Sequence, residues 1–379
     1  MSGETDILEN LRKQAVQLYE TRDKVCFPSK IIENIDILVR EIDRNKSIVS
    51  ALATSMLKKI RNPAQDIRFH RTDFEGGYSA RSLDTDVTAP FFKKYFPRYA
   101  NKESGFLTLA TREKIAWTET EGQALKIRKQ TVKTSFLYLI DSVQDETADA
   151  SQVLECFFYK LHALSLQHKI IFDETIETAR YMNILTIHTI LAMIKKHCAL
   201  PVSSRLPVIA MYSLYEALVS TVDIYSGKIV RPLNVHTSSD GDIEIWNADN
   251  TPFEMVEVKH NIPIDRNLIF DVAKKSENTA IQRYYILTTA KDSFVSKDEE
   301  DYIYKFILKI KNDTGLDIIP NGIYASIKYY LRFIADYRQF IHLYTKNLIA
   351  DANNSTEAQE FHIAEWRNIL EEHSIHCQR

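Results

Sequence analysis

The chain has few cysteines, few glycines and no long apolar run. Its four cysteines among 379 residues are scattered without CxxC spacing, so neither a disulfide framework nor a cysteine metal site is expected. No apolar leader follows a basic start, so secretion is not expected. A reducing, cytoplasmic location is expected instead. No stretch approaches the roughly 18 apolar residues of a membrane helix. A membrane role is therefore not expected.

The sequence also has no phosphate-binding loop of the GxxxxGK[ST] type, so ATP-driven translocation is not expected. The formal net charge is −3, and this sum neither favours nor excludes nucleic acid, because binding depends on local basic patches. The hydrophobic content of 45% is typical of a globular protein with one large core or two to three modules.

Apolar spacing of the i, i+3, i+4 kind predicts helices over residues 5–20, 29–45 and 46–61, with Ser29 as a cap of the second. Residues 66–123 hold four of the nine glycines and predict loops and short strands. Helical spacing returns over 132–143, 150–167 and 174–198, and again over 206–221, 302–311 and 323–350. Thr356 with Gln359 is typical of a capping box for a last helix.

Two runs in the second half alternate apolar and polar residues. The first extends from Gly241 to Trp246 and the second from Met255 to Lys259, with turn-forming Asn, Asp and Pro residues between them. The pattern predicts a hairpin in which Ile243 and Ile245 share one face of the first strand and Asp242 lies on the other. Glu257 and Lys259 share a face of the second strand. With the correct register, two carboxylates and an amine converge at one edge of the sheet.

An Asp on one strand followed by an acidic-x-Lys on the next resembles the PD-(D/E)xK nuclease superfamily. Gly241 stands where that family often has a proline, and Glu257, Val258 and Lys259 supply the second element. The resemblance implies a mixed α/β (α+β) fold: a restriction-endonuclease-like core with a central mixed β-sheet flanked by helices, after a largely helical N-terminal region. An acidic-x-basic triplet on an ordinary solvated strand is the alternative.

The resemblance also implies the chemistry. Asp242, Glu257 and Val258 would hold Mg²⁺, a hard cation that prefers oxygen ligands and keeps several waters. The metal would activate a water, and Lys259 would orient it and stabilise charge on the phosphate, leaving a 5′-phosphate.

Two further carboxylates are candidates beside this group. Glu216, in the helix over 206–221, would be a third catalytic carboxylate by the same resemblance, and an ordinary exposed helix glutamate is an equal alternative. Asp240, next to Gly241, is a weaker alternative ligand that also suits a turn.

The stretch from Tyr78 to Phe92, together with Lys102 to Gly105, resembles restriction endonucleases of the SacI type. By that resemblance, Arg81 and its neighbours would contact DNA, arginine being the side chain that reads guanine in the major groove. Basic clusters elsewhere are typical either of DNA contact or of solvated helix faces. The candidate DNA-contacting residues are Tyr78, Ser79, Arg81, Lys93, Lys94, Lys126, Arg128 and Lys129.

Together these observations predict a type II restriction endonuclease that cuts double-stranded DNA. The expected organisation is a helical region over 1–200 with a DNA-contacting segment at about 66–123, a nuclease core over 201–322, and helices over 323–379 that pack on the core or form a dimer interface. A homodimer would match a palindromic site, and a cognate methyltransferase would protect host DNA without physical contact being implied. The alternatives are a junction or repair nuclease of the same superfamily and a non-catalytic DNA-binding module.

Overall fold

A computed structural model describes residues 2–21, 27–182, 185–232, 241–277, 279–354 and 358–376. Asp240, Thr356, Cys26 and Cys377 lie outside these residues. The chain forms two compact units, one of residues 1–170 and one of residues 171–379. The first unit therefore ends earlier than the boundary near 200 that the sequence suggests.

The first unit is helical in its described part. Its helices are α1 (Ser2–Thr21), α2 (Ser29–Arg40), α3 (Lys46–Arg61), α4 (Ala80–Leu83), α5 (Ala89–Tyr95), α6 (Leu109–Arg112), α7 (Gln130–Gln144) and α8 (Ala150–Arg180), which continues into the second unit. The first three confirm the helices expected from apolar spacing. Ser29 is the first helical residue and not the cap; Pro28 holds the cap position without a side-chain hydrogen bond.

Residues 66–123 were expected to contain short strands, and this was wrong. All of them are described, and they form loops with short helices and 3₁₀ turns at Pro97–Tyr99, Gly105–Leu107 and Glu121–Ala124, and a π turn at Asp84–Thr88. The buried Asp84 carboxylate explains part of this, since it accepts hydrogen bonds from Ser104 Oγ at 2.7 Å and Gly105 N at 2.8 Å. These bonds hold the Gly105–Leu107 turn against the start of the π turn.

The second unit is a mixed α+β structure around a five-stranded sheet. Its strands are β1 (Ile229–Pro232), β2 (Ile243–Trp246), β3 (Pro252–Lys259), β4 (Arg283–Thr288) and β5 (Asp317–Gly322), in that spatial order. The first three strands are antiparallel neighbours, and β3, β4 and β5 are parallel. The mixed α+β class expected from the sequence is confirmed at this level.

Helices cover both faces of this sheet. The helices of this unit are α9 (Ile187–Cys198), α10 (Arg205–Thr221), α11 (Arg266–Ser276), α12 (Lys297–Thr314), α13 (Ile323–Leu331), α14 (Tyr337–Asn354) and α15 (Glu360–His376). Ile243 and Ile245 enter the core that α10, α13 and α14 share, and Met255 and Tyr284 enter the core shared with α11 and α12. The alternation predicted for the hairpin is therefore the one that the structure has.

The single long helix expected over 323–350 is wrong. The chain leaves α13 after Leu331 and enters α14 at Tyr337. Asp336 accepts a hydrogen bond from the backbone N–H of Arg338 at 3.0 Å and binds its guanidinium, so this carboxylate starts a new helix where apolar spacing alone predicts continuity. No helix within the described residues is long and apolar enough to cross a membrane.

Candidate functional site

The candidate site lies where β2 and β3 pair. Ile243 is opposite Val256, and Asp242, one residue before β2, turns its carboxylate toward β3. Its Oδ2 atom accepts a hydrogen bond from the backbone N–H of Val258 at 2.8 Å. This bond fixes the Asp242 carboxylate beside the residue that separates Glu257 from Lys259.

Glu257 and Lys259 share one face of β3 and touch each other. Lys259 Nζ donates to Glu257 Oε1 at 2.5 Å, and the hydroxyl of Tyr284 on β4 donates to Glu257 Oε2 at 3.4 Å. The Glu257 side chain is 11% exposed, whereas the Lys259 side chain keeps 28%. The ammonium is thus the part of the pair that solvent reaches more easily.

The pKa of Asp242 shows that its carboxylate and that of Glu257 are close enough to interact. Burial, and then the negative charge of Glu257, raise the pKa of Asp242 above its ordinary value. The Val258 N–H and the positive charges of Lys259 and Arg205 act in the opposite direction. Because the pKa of Asp242 stays raised despite these groups, the repulsion between the two carboxylates is only partly compensated, and a divalent cation would relieve it further.

The position before Asp242 has no room for a side chain, and glycine occupies it. A Cβ atom there would lie 2.9 Å from the carbonyl oxygen of Val256 and 3.3 Å from the hydroxyl of Tyr284. The first of these contacts is with backbone, which cannot move aside easily. The absence of a side chain lets the Asp242 backbone pass close to β3.

The end of β3 is held by its neighbours. Thr289 N donates to the carbonyl of Lys259 at 3.0 Å, and His260 lies within 3.1 Å of both Ser203 Oγ and Thr289 Oγ1. A side chain on a strand end supported in this way is better positioned than one on a free loop.

Comparison of the chain with protein-family models and with curated proteins finds no match.

Glu216 lies in α10, and its described contacts are with α14 and its own helix. Its Oε2 atom accepts from Asn347 Nδ2 at 2.5 Å, and it also interacts with Tyr212. Among the described residues, no three His, Cys, Asp or Glu side chains form a group that could hold a metal. The structure thus does not bring Glu216 together with Asp242 and Glu257.

The donors that are present still suit Mg²⁺. Asp242 and Glu257 offer hard carboxylate oxygens, and Mg²⁺ commonly binds through one or two carboxylates and completes its six ligands with water and substrate oxygens. Zinc would favour nitrogen and sulfur donors, which these two side chains do not provide.

The predicted DNA-contacting residues all belong to the first unit. Tyr78 is buried, with its hydroxyl 3.2 Å from Ser55 Oγ, and Ser79 accepts from Ser82 N at the start of α4. Lys94 pairs with Glu9 and Lys129 with Glu41, so part of their charge is compensated within the unit. The exposed members are Ser79, Arg81, Lys93, Lys94, Lys126, Arg128 and Lys129.

Two residues of the site are not apparent from the motif. Arg205 begins α10, is 8% exposed and forms an ion pair with Asp351 of α14 through Nε at 2.7 Å. Tyr284 reaches Glu257 only because β4 pairs in parallel with β3. The sequence signal for Arg205 is a charged residue at the start of a mostly apolar helix, and for Tyr284 it is a tyrosine in a buried strand.

Proposed function

We propose that this protein is a Mg²⁺-dependent endonuclease of the type II restriction kind that hydrolyses phosphodiester bonds in double-stranded DNA. The observation that carries the proposal is the convergence of Asp242, Glu257 and Lys259 at one edge of a mixed sheet. The strand, hairpin, helix and strand that the superfamily core requires occur in that order as β1, β2–β3, α11 and β4.

Asp242 and Glu257, with Val258, would hold Mg²⁺, which when bound lowers the pKa of a water ligand and neutralises charge on the phosphate. Tyr284 would keep Glu257 oriented through its hydroxyl. Lys259, released from its bond to Glu257, would orient the attacking water and donate to a phosphate oxygen as negative charge develops there. Attack by that water on phosphorus would break the P–O3′ bond, leaving a 3′-hydroxyl on one fragment and a 5′-phosphate on the other.

An enzyme that cuts both strands of a palindromic site would act as a homodimer, since two-fold protein symmetry matches two-fold DNA symmetry. Light scattering of the purified protein tests this part. A host carrying such an enzyme would need methylation of its own site, and the substrate for any cleavage test is therefore unmethylated DNA.

The test is incubation of the purified protein with unmethylated phage DNA and Mg²⁺, followed by sequencing of the fragment ends. A type II enzyme gives discrete ends that share one short sequence. Ends scattered over the genome, or found only at branched DNA, would favour a junction or repair nuclease. Intact DNA across Mg²⁺ and Mn²⁺ would contradict the nuclease proposal and favour a non-catalytic DNA-binding module.

A further inference from the structure

A cavity of about 270 Å³ opens in the first unit. It lies among α1, α3, the chain segment before α4, α4 itself and the π turn that follows. Its lining residues are Glu4, Lys58, Arg61, Tyr78, Ser79, Leu83, Asp86 and Val87. These residues belong to the unit that does not contain Asp242, Glu257 and Lys259.

One wall of this cavity is held by a buried carboxylate. Asp84, fully buried, begins the π turn and accepts hydrogen bonds from Ser50 Oγ at 2.5 Å, Ser104 Oγ at 2.7 Å and Gly105 N at 2.8 Å. The turn it anchors carries Asp86 and Val87. Single π turns inside helical segments occur often at functional sites. The wider turn changes the direction in which the following side chains point.

The cavity is lined by both positively and negatively charged side chains. Lys58 Nζ lies 5.3 Å from the centre of the Tyr78 ring, and the Arg61 guanidinium forms an ion pair with Glu4. Asp86 is exposed at the rim. The cavity thus presents two cations and two carboxylates, and a simple inorganic anion would meet repulsion from the carboxylates as well as attraction.

The remaining lining is apolar or aromatic. Leu83 and Val87 come from consecutive turns of the α4 and π segment, and the buried ring of Tyr78 lies beside them. Ligand sites combine such apolar walls with a small number of placed polar groups. The volume of about 270 Å³ is close to the roughly 300 Å³ at which pockets for drug-sized ligands begin, and one nucleotide belongs to that size class.

We propose that this cavity binds a nucleotide. The flat base would pack on Leu83 beside the buried Tyr78 and Val87, and its N–H edge would donate to Asp86. Lys58, and Arg61 once it is released from Glu4, would bind the phosphate. The ligand comes either from solution as a free nucleotide or from one position of a DNA strand whose base is turned out of the stack. This binding needs neither the metal nor the chemistry of the second unit.

The experiment is calorimetric titration of the full chain in EDTA. The four deoxynucleoside 5′-monophosphates, a single-stranded oligonucleotide and inorganic phosphate are titrated separately. The test variant carries Lys58→Gln and Arg61→Gln, and the matched control carries Lys30→Gln and Arg44→Gln, two exposed cations of the same unit that lie outside the cavity. Thermal melting verifies that each variant is folded.

The expected result is saturable binding of a mononucleotide or of the oligonucleotide that weakens about tenfold or more in the test variant and stays unchanged in the control. Binding of the mononucleotide identifies a free nucleotide as the ligand, and binding of the oligonucleotide alone identifies a position in a strand. As a second variant, Asp86→Asn should change the preference among the four bases.

Three outcomes would overturn the proposal: no binding of any nucleotide, equal weakening in the test and control variants, or binding of inorganic phosphate as tight as that of the nucleotides. Because all titrations are performed in EDTA, they give the same answer whether or not the protein cuts DNA. Failure here is therefore distinguishable from failure of the proposed nuclease function.

Discussion

At Asp242, folding stability and the proposed activity make opposite demands on one carboxylate. Its pKa is raised first by burial and then by the charge of Glu257, so the ionised carboxylate costs folding free energy near neutral pH. Groups held in an unfavourable ionisation state are concentrated at functional sites, where the cost is retained for chemistry.

The substitution Asp242→Asn should separate stability from activity. The amide oxygen can still accept the Val258 N–H, while the repulsion with Glu257 disappears. We expect the metal-free variant to melt at the same temperature as the wild type or higher, and to lose DNA cleavage. Differential scanning calorimetry with and without Mg²⁺ checks this, and Mg²⁺ should raise the melting temperature of the wild type only. A variant that melts well below the wild type would show a structural role instead.

At this scale the sequence predicts much of the candidate site. Period-two alternation and the Asn, Asp and Pro turn are enough to place Asp242, Glu257 and Lys259 near one another, because a hairpin is a local structure. Arg205 and Tyr284 come from α10 and β4, and their approach depends on packing and parallel pairing that no local pattern specifies.

The element that links the site to the helical layer is α10, which is buried along most of its length and packs on α14. The ion pair between Arg205 and Asp351 joins the two helices, with both side chains about 9% exposed. Removing one partner of a buried pair leaves a charge without its counterion, which is far more costly than losing an exposed pair.

We therefore expect Asp351→Ala to lower the free energy of unfolding by about 3–5 kcal/mol. Glu372→Ala, which breaks the Lys196–Glu372 pair whose side chains are each 53% exposed, should cost about 1 kcal/mol or less. Urea denaturation of the two variants measures the difference. Equal destabilisation would contradict the structural role given to the Arg205–Asp351 pair.

Glu216 gives a second test at the level of elements. Since its carboxylate binds Asn347 across α10 and α14, we expect Glu216→Gln to retain DNA cleavage, because the amide oxygen can still accept from Asn347. Initial cleavage rates beside those of Asp242→Asn provide the comparison. A loss of activity as large as that of Asp242→Asn would instead assign Glu216 to the metal site.

Helices and strands with regular apolar spacing were predicted well, and irregular segments were not. The helices α2 and α3 follow directly from the repeat of buried residues. The break near Asp336 and the short helices around Asp84 arise from single carboxylates that bind nearby backbone N–H groups. Such bonds depend on one rotamer and leave no periodic signal in the sequence.

The whole molecule consists of two units, and each contains a buried histidine whose pKa is strongly lowered by burial. In the first unit, burial lowers the pKa of His70 from 6.5 to about 4, and in the second it lowers the pKa of His197 to about 3. His197 Nε2 donates to the carbonyl of His362, and its Nδ1 accepts from the hydroxyl of Tyr344, at 2.7 Å each.

These histidines predict that both units lose stability in mild acid. The unfolded chain protonates histidine near pH 6.5, whereas the folded units resist protonation to about pH 4 and 3, so stability present above pH 6.5 declines as the pH falls. Melting temperatures between pH 7.5 and 5 measure this decline above the range in which most carboxylates titrate. His197→Gln should flatten the slope, while His188→Gln, at an exposed position, should not. An unchanged slope in both would contradict the assignment.

At this scale the sequence predicts the mixed α+β class and a helical first part, because runs of helical spacing precede the strand-like runs. It does not predict where the first unit ends. α8 continues from Ala150 to Arg180 through the boundary at 170, and a continuous helix offers no composition change at which a boundary is visible.

The most direct test of the nuclease centre is the rate at which Lys259→Met converts supercoiled plasmid DNA to cut forms in Mg²⁺. The control is Lys275→Met, which removes an exposed lysine of α11. The proposed role of Lys259 predicts a cleavage rate about 10²–10³-fold lower for Lys259→Met, as for other groups that stabilise developing charge, and a wild-type rate for the control. Equal cleavage by both variants, or none by the wild type, would contradict it.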